Sequence, residues 1–343
     1  MAHRFAQDIK KSDAAPPPPE GAARPPPTPE AAMHDPALAI EINDLRFDYP
    51  SKSTLDKPKT VLHGLNMALA PGSRCLLIGA NGAGKSTLLR VLGGKHMCHP
   101  DEAVRVLGKD TFRDLSLNLQ RTVLDTEWGM RTVAFAGYGV PLQADIRVGS
   151  MMANNQKQYP ERAAELTTLL GINPDWRMHQ VSDGQRRRVQ LFLGLLKPFE
   201  ILLLDEVTTA LDVIVRQDLL MYLAKETEER GATIVYATHI FDGLDEWPTH
   251  MHYLHHTGVT GWQGPLHENE HYKELRSQGH PAPLLKVVEK WLRKEVAEKA
   301  AANAALEQAA GSAAIEAAVT DAESGSFNQG SGYNSGRMMS HFA

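Results

Sequence analysis

Long apolar segments, cysteines and surplus basic residues are all scarce in this chain. Its most apolar runs, such as 201–204, have only the length of a strand, whereas a membrane-spanning helix needs about 20 apolar residues. We therefore expect no direct membrane insertion. The net charge of −5 supplies no positive field for a polyanion, so no nucleic-acid partner is expected. Of the two cysteines, Cys75 lies in an apolar strand pattern, where a free thiol acts as a small core residue, and this favours a reducing compartment.

Both ends of the chain differ in composition from its middle. Residues 14–36 are mostly Pro, Ala, Gly and Glu, so we expect a disordered N-terminal arm over residues 1–36. Residues 1–11 contain charged groups and no continuous apolar run, unlike a secretory signal. We expect a cytoplasmic protein, with the nucleus as the alternative location. Apolar residues at helical spacing predict a C-terminal helix over 279–310, followed by a disordered Gly/Ser/Asn-rich tail over 311–343.

Between these ends, short apolar strands alternate with helical patterns. Two early strands precede the first motif, and the later alternation predicts a parallel sheet covered by helices, the arrangement of an α/β protein. The segment 145–197 is rich in Leu and Met, with few β-branched runs, and is typical of an inserted helical subdomain. We expect the main domain to span residues 37–278.

A glycine-rich segment with a lysine and two hydroxyl residues lies between a predicted strand and a predicted helix. In this setting the glycines let backbone N–H groups approach phosphate oxygens, the lysine reaches the outer phosphates, and the first hydroxyl ligates Mg²⁺. The alternative is a glycine-rich turn that binds nothing. The spacing predicts an ATP site made by Gly79, Asn81, Gly82, Ala83, Gly84, Lys85, Ser86 and Thr87.

A second apolar strand, 201–204, ends in two carboxylates, Asp205 and Glu206. The carboxyl ends of strands in a parallel sheet face a bound nucleotide. There Asp205 would hold Mg²⁺, and Glu206 would orient and deprotonate the attacking water. Alone, the motif is equally well explained as a strand end with solvated acids.

The decisive motif is Ser182-Asp183-Gly184-Gln185, which lies between the phosphate loop and Asp205 and resembles the signature motif of ABC ATPases. The resemblance implies a P-loop NTPase core of RecA-like type, with an antiparallel β subdomain and an inserted α-helical subdomain. It also implies a D-loop at Asp212, and a switch histidine, His239, that contacts the γ-phosphate.

The signature motif also bears on assembly. Ser182 and the N–H groups that follow it open a helix, which makes an anion site without a lysine. By resemblance, this site lies too far from the phosphate loop of its own chain to share a nucleotide. A second subunit would complete each ATP site, so we expect a homodimer. The alternative is an ordinary helix cap with a basic first turn.

Tyr49 occupies the place where members of this family present an aromatic ring to adenine, an interaction worth roughly 1–3 kcal/mol. The alternative is an aromatic residue at a strand end that packs on the sheet. Phe47 is the second choice for the adenine contact.

The sequence departs from the family pattern at two places. Asp183 replaces the usual glycine and adds a carboxylate near the partner's γ-phosphate, which would slow closure or require a compensating cation. The glutamine that normally contacts Mg²⁺ is not at the expected position: Gln143 is nearby, but alignment on 146–148 puts Gly137 or Tyr138 in that place. This change weakens a role in transport.

Histidines 250, 252, 255 and 256 form a dense cluster in the sequence. Because no cysteine or carboxylate completes a recognisable spacing, we interpret them as part of a solvated strand and turn rather than as a zinc site.

Several segments resemble a narrower group, the soluble non-intrinsic ABC proteins of plants and the related fungal ATPases associated with the carbon-catabolite-repression transcription complex. The segments are 181–190, 238–244, 247–250 and 291–295. The resemblance implies an Mg-ATP hydrolase that acts as a switch for protein partners not yet identified. The alternatives are the ATP-binding subunit of an ABC transporter and a non-hydrolysing scaffold that holds ATP as a structural ligand.

Overall fold

The computed structural model describes residue 35 and residues 37–50, 59–126, 128, 132–135, 138–141 and 145–324. The expected N-terminal arm, apart from Asp35, and the glutamine candidate Gln143 lie outside these residues, as does the end of the chain after Ser324.

Twelve strands and seven α-helices alternate along these residues. The strands are β1 Ile40–Tyr49, β2 Lys59–Leu69, β3 Arg74–Ile78, β4 Val104–Val106, β5 Lys109–Asp110, β6 Arg121–Leu124, β7 Thr132–Phe135, β8 Tyr138–Pro141, β9 Ile201–Asp205, β10 Thr233–Ala237, β11 His250–Leu254 and β12 Thr260–Pro265. The helices are α1 Lys85–Leu92, α2 Val148–Gln158, α3 Pro160–Leu170, α4 Asp183–Leu196, α5 Val213–Arg230, α6 Glu270–Ser277 and α7 Pro283–Ser324.

A six-stranded sheet forms the centre, in the order β12-β11-β3-β10-β9-β6. All neighbours in it are parallel except β11 and β12. Residues 201–204 and 233–237 are buried throughout, as expected of parallel strands covered on both faces. The parallel arrangement brings the carboxyl ends of β3, β9 and β10 to one edge, and this edge carries the candidate site.

A second sheet, in the order β2-β1-β4-β5, is antiparallel. Its apolar face packs with α1 and one face of the central sheet in a single core cluster, which includes Ile40, Leu65, Leu88 and Val235. The other core cluster joins the opposite face of the central sheet to α2, α3, α4 and α5. The α/β class, the parallel sheet and the antiparallel sheet expected from the sequence are confirmed.

The three helices α2, α3 and α4 fall within residues 145–197. They bury Met152, Leu166 and Phe192 together with residues of the central sheet. The signature motif begins the last of these helices, so its position depends on how this helical layer packs against the sheet.

The C-terminal helix differs from the prediction. It begins at Pro283 and continues to Ser324, so residues 311–324, which we expected in a disordered tail, are helical. Residues 297–318 are rich in alanine, the strongest helix former, and the one glycine there costs only about 1 kcal/mol. Within the described part of the chain, none of the helices combines the length and the apolar character needed to cross a bilayer.

Candidate functional site

The phosphate loop connects β3 to α1. Gly84 caps α1 with a left-handed backbone, φ 107°, and Lys85 is the first residue of the helix. The Lys85 side chain folds back over the loop, and its Nζ donates hydrogen bonds to the carbonyl oxygens of Gly79 at 2.8 Å and Ala80 at 3.1 Å. Only 7% of the residue is exposed. A buried ammonium with two carbonyl partners retains one donor for an anion in the loop.

Two glycines are required by close packing. A Cβ at Gly79 would lie 2.4 Å from the carbonyl oxygen of Leu254 on β11, and one at Gly84 would lie 2.9 Å from Leu62 Cδ2 on β2. Gly82, by contrast, has φ 82° and open space around it. The first two glycines fix the loop against its neighbours, while the third leaves a backbone surface that a ligand can approach.

The end of β9 places Asp205 beside the start of α1. Burial raises the pKa of Asp205, and a hydrogen bond to the Ser86 side chain opposes that shift. Burial also lowers the pKa of Lys85, against the opposing fields of Glu206 and Asp205. A hydroxyl and a carboxylate are the hard oxygen ligands that Mg²⁺ accepts alongside phosphate oxygens, so Ser86 and Asp205 fit the expected metal.

Glu206 and His239 follow the ends of β9 and β10. Glu206 has a left-handed backbone, φ 52°, held by its N–H, which donates to the carbonyl of Ala237 at 2.9 Å. His239 Nδ1 lies 3.3 Å from Glu206 Oε2, and the histidine side chain is 60% exposed. A non-glycine residue in this strained conformation is typical of functional sites. Both side chains are therefore held near the phosphate loop and accessible to a ligand.

Tyr49 ends β1 next to the same loop. Its hydroxyl is 3.2 Å from Thr87 Oγ1, and its ring packs edge-on against Phe47 and His96, with centroids at 5.0 and 5.7 Å. Phe47 is 6% exposed and belongs to the core, so it is not available for stacking. Tyr49 remains the candidate for adenine.

The signature motif forms a capping box at the start of α4. The Ser182 hydroxyl accepts from the N–H of Gln185 at 3.2 Å, and the Gln185 side chain accepts from the N–H of Ser182 at 2.9 Å. Asp183, whose side chain is 83% exposed, is paired with Arg186 Nη1 at 2.8 Å. The compensating cation that the departure at Asp183 called for is thus one turn away on the same helix.

The segment that resembles the D-loop contacts the signature helix of its own chain. The Asp212 carboxylate caps α5 by accepting from the N–H of Val215 at 3.0 Å, which lowers the pKa of Asp212, and it also pairs with Arg188. A Cβ at Gly184 would lie 3.0 Å from the carbonyl oxygen of Ala210. Glycine at this position lets the two motifs lie side by side.

The strand register shows which residue lies beside Asp205 at the edge of the central sheet. β6 runs beside β9 with Leu124 opposite Leu204, so one residue further along come Asp125 and Asp205. Among the described residues, Tyr138 begins β8, which pairs with β7 in a separate two-stranded sheet. Gly137 lies outside the described residues. The residue beside Asp205 at this edge of the central sheet is Asp125.

Asp125 connects three elements that the sequence did not associate. Its carboxylate binds Lys95 Nζ at 2.8 Å, just after α1, and its carbonyl oxygen accepts from Arg187 Nη1 at 2.9 Å and Gln190 Nε2 at 2.7 Å, both on α4. The arginine run after the signature had suggested only a basic first turn. Arg187, which is half-buried, instead fixes the signature helix to the edge of the sheet.

The chain is similar in sequence to known proteins. The family described as "ABC transporter" matches residues 62–209. ABC transporter I family member 20 of Arabidopsis thaliana is 48% identical over 264 residues, covering 76% of this chain and 77% of that protein. Member 21 from the same plant is 44% identical, covering 75% and 86%. CCR4-associated factor 16 of Saccharomyces cerevisiae is 42% identical, covering 63% and 75%.

Solved structures show the same fold at lower identity. A dimeric ATP-binding cassette bound to ADP and phosphate superposes with a TM-score of 0.53 and 19% identity, covering 66% of this chain and 98% of that one. An ATP-binding subunit of an ABC transporter gives 0.56 and 19%, covering 74% and 98%. On the sequence relatives and the matched family together, this chain belongs to the ATP-binding cassette family.

Proposed function

We propose that the protein binds and hydrolyses Mg-ATP between two copies of itself, and that closure of this dimer is a switch for a protein partner. The observation that carries the proposal is the buried Lys85 ammonium, held over the phosphate loop beside Asp205 and Glu206. This arrangement fits a nucleoside triphosphate with its metal ion. The buried cation and the helix N-terminus match the negative phosphates, and the two carboxylates match the metal.

The phosphate loop does the binding. Backbone N–H groups from Gly82 to Ser86 and the positive end of α1 receive the phosphates, and Lys85 compensates their charge. Ser86 and Asp205 would hold Mg²⁺, which would supply further charge neutralisation at the phosphate oxygens. Tyr49 contributes a ring face to adenine.

Glu206 is the proposed catalytic base. Its carboxylate lies one residue beyond Asp205 on the same sheet edge, where it would orient a water molecule and accept its proton. His239, 3.3 Å away, would donate a hydrogen bond to the γ-phosphate and keep Glu206 aligned. Transition-state charge is then met by groups that are already positioned before ATP arrives.

A second copy supplies the other half of each site. The capping box uses the Ser182 hydroxyl and two N–H groups, whereas the remaining N–H groups in the first turn of α4 still need an acceptor. A γ-phosphate on the partner's phosphate loop provides one. The dimeric cassette structure of the same fold is consistent with this arrangement.

The dimer is tested with Glu206→Gln, which keeps the side-chain size and removes the base. Size-exclusion chromatography with light scattering should find a monomer without nucleotide and a stable dimer with Mg-ATP. The matched control is Glu246→Gln, a change at an exposed carboxylate paired with Arg276, which should give no trapped dimer. A Glu206→Gln protein that stays monomeric at saturating Mg-ATP would overturn the proposal.

Composite sites are tested by mixing two inactive variants. Lys85→Ala removes the phosphate contact, and Ser182→Asp keeps a good helix cap while placing a negative charge against the γ-phosphate. At an ATP concentration that half-saturates the wild type, each variant alone should release phosphate at about a tenth of the wild-type rate or less. An equal mixture should recover about a quarter of the wild-type rate, because half the dimers then contain one intact site of two. Absence of recovery would favour sites contained in a single chain.

The output of the switch is proposed on two grounds. One relative is named as a factor associated with CCR4, and the sheet edge next to Asp205 carries Asp125 rather than a glutamine. We propose a cytoplasmic site of action; nothing in the relatives' descriptions supports the nuclear alternative. A phosphate-release assay separates the switch from a scaffold, because a scaffold would bind ATP without turnover. A multi-span membrane protein captured specifically by Glu206→Gln with Mg-ATP, and not by Lys85→Ala, would favour transport instead.

A further inference from the structure

Two histidines at the end of β11 lie against a carboxylate from α7. One ligand atom from each of His255, His256 and Glu295 falls within 4.8 Å of the others. Glu295 lies about 40 residues after the histidines in the sequence. The Tyr253 and Trp291 rings stack with their centroids 4.7 Å apart, and this contact brings α7 next to the end of β11. The histidine-rich stretch is thus not a solvated strand: residues 251–254 are buried, and a carboxylate completes the group.

Two atoms that face each other in this group lack hydrogen-bond partners. Glu295 is 2% exposed; its Oε1 accepts from the Tyr253 hydroxyl, but its Oε2 has no donor. His256 Nδ1 is likewise buried and unpaired, 3.5 Å from Glu295 Oε2. An unpaired buried carboxylate oxygen is costly, so a native structure that contains one calls for an explanation.

The separation of these atoms matches a shared metal ion. Zinc binds histidine nitrogen and carboxylate oxygen at about 2.0–2.2 Å in a tetrahedron, which puts two ligand atoms roughly 3.3–3.6 Å apart. The observed 3.5 Å lies within that range and is too long for a good direct hydrogen bond.

His255 is placed as a third ligand with support behind it. The two imidazole rings have centroids 4.1 Å apart. His255 Nδ1 is 2.7 Å from the Thr257 hydroxyl, which can fix the ring, while Nε2 lies 3.0 Å from Glu298 Oε2, one turn along α7 from Glu295. Metal-bound histidines commonly bond their second nitrogen to a polar group in this way.

We propose that His255, His256 and Glu295, with Glu298 next to His255, bind a divalent transition-metal ion of the zinc class. Imidazole and carboxylate ligands select such ions over Mg²⁺, which prefers oxygen ligands alone. The site is separate from Ser86 and Asp205 and needs no nucleotide.

Metal binding here would tie the C-terminal helix to the neighbour of the phosphate loop. Leu254, one residue before His255, presents the carbonyl oxygen against which Gly79 packs. A cation on Glu295 would fix α7 in place.

The test uses the full chain, stripped of metal with a chelator and free of nucleotide. Titration with Zn²⁺ in competition with a chromophoric chelator should reveal one tight site per chain, and Co²⁺ should give the intense visible bands of four-coordinate cobalt. His256→Ala and Glu295→Gln should each weaken binding at least about tenfold. Glu295→Gln retains an acceptor for the Tyr253 hydroxyl, and His255→Ala changes a more exposed position, so the result does not depend on one variant folding.

Controls separate this site from surface histidines and from the magnesium ligands. His271→Ala removes a histidine of α6 and should leave Zn²⁺ binding unchanged, as should Asp205→Asn. Zn²⁺ should raise the thermal midpoint of the wild type and not that of Glu295→Gln. Either absence of a stoichiometric site, or a site that survives all three cluster variants, would overturn the proposal.

Discussion

The phosphate loop and the signature helix are two candidate anion sites at helix N-termini in one chain, yet they are built differently. The phosphate loop is lined by a buried lysine, close-packed glycines and a carboxylate whose pKa is raised. The signature helix presents an exposed turn, capped by its own side chains, with an exposed carboxylate paired to an arginine. The phosphate loop is already shaped for a ligand before the ligand arrives. At the signature helix, by contrast, the exposed carboxylate is neutralised by an arginine of the same helix.

This difference indicates how the two halves of the proposed composite site share the binding of ATP. Charged groups in low-dielectric surroundings interact strongly, so most ATP affinity should come from the phosphate loop. Exposed charges are screened by water, so the signature should add less affinity and more selectivity for the γ-phosphate.

The largest effect is expected at Lys85. Lys85→Ala leaves phosphate charge without its buried partner and should weaken Mg-ATP binding at least about 100-fold, near 3 kcal/mol. Isothermal titration calorimetry measures it. Lys109→Ala, at an exposed lysine bonded to Ser116, is the control and should bind ATP normally. A loss below threefold at Lys85 would mean that the loop does not dominate binding.

A smaller effect is expected at Ser182, measured as the ATP concentration that gives half-maximal dimer in the Glu206→Gln background. Ser182→Ala loses the cap and about 1 kcal/mol of stability, whereas Ser182→Asp keeps the cap but repels the γ-phosphate. We expect the aspartate variant to require about tenfold more ATP without losing thermal stability, since a charge contact is worth roughly 1.4 kcal/mol. Equal behaviour of the two variants would indicate a capping role alone.

At Asp183 the expected change is about fivefold. Arg186→Ala leaves the carboxylate unpaired near the partner's phosphate and should raise the ATP needed for dimerisation, while Asp183→Gly should lower it and the double variant should approach Asp183→Gly. Arg276→Ala, which breaks an exposed ion pair elsewhere, is the control. Additive effects of the two single changes would show that the pair does not act as a unit.

The smallest effect concerns stability and pH. A raised pKa means that folding disfavours the ionised Asp205. Its destabilising contribution is absent below the unfolded pKa of about 3.9, grows as the pH rises from there to the higher folded pKa, and is constant above it. Without Mg²⁺ or nucleotide, Asp205→Asn should therefore be more stable than the wild type at pH 8 and no more stable at pH 3.5. Thermal melts at both pH values check this. A variant less stable than wild type at pH 8 would contradict it.

Features encoded by neighbouring residues were predictable from the sequence. The phosphate loop is a run of consecutive residues, and so is the pair Asp205-Glu206. Each follows a strand that can be recognised from its apolar residues. Because these strands pair in parallel, both motifs lie at one edge of the sheet. The class of the fold follows from the same alternation. These inferences needed no knowledge of distant contacts.

Features that depend on distant contacts were not predictable. The sequence spacing pointed to Gly137 or Tyr138, and the pairing of β6 with β9 was needed to place Asp125 beside Asp205. Likewise, the residues next to His256 in the sequence did not predict its contact with Glu295, because stacking of the Tyr253 and Trp291 rings brings α7 to that place. Register and helix docking are set by packing, which local patterns do not contain.

The hydrogen bonds between α4 and the residue after β6 have a consequence for cooperativity between the two ATP sites of the proposed dimer. Arg187 and Gln190 hold the carbonyl of Asp125, at the edge where Asp205 also lies, while the same rigid helix begins at Ser182. In the proposed dimer, a shift at one chain's magnesium site would move the turn that faces the other chain's ATP. The two sites would be cooperative, and ATP binding by the dimer should follow a sigmoidal curve with a Hill coefficient above 1.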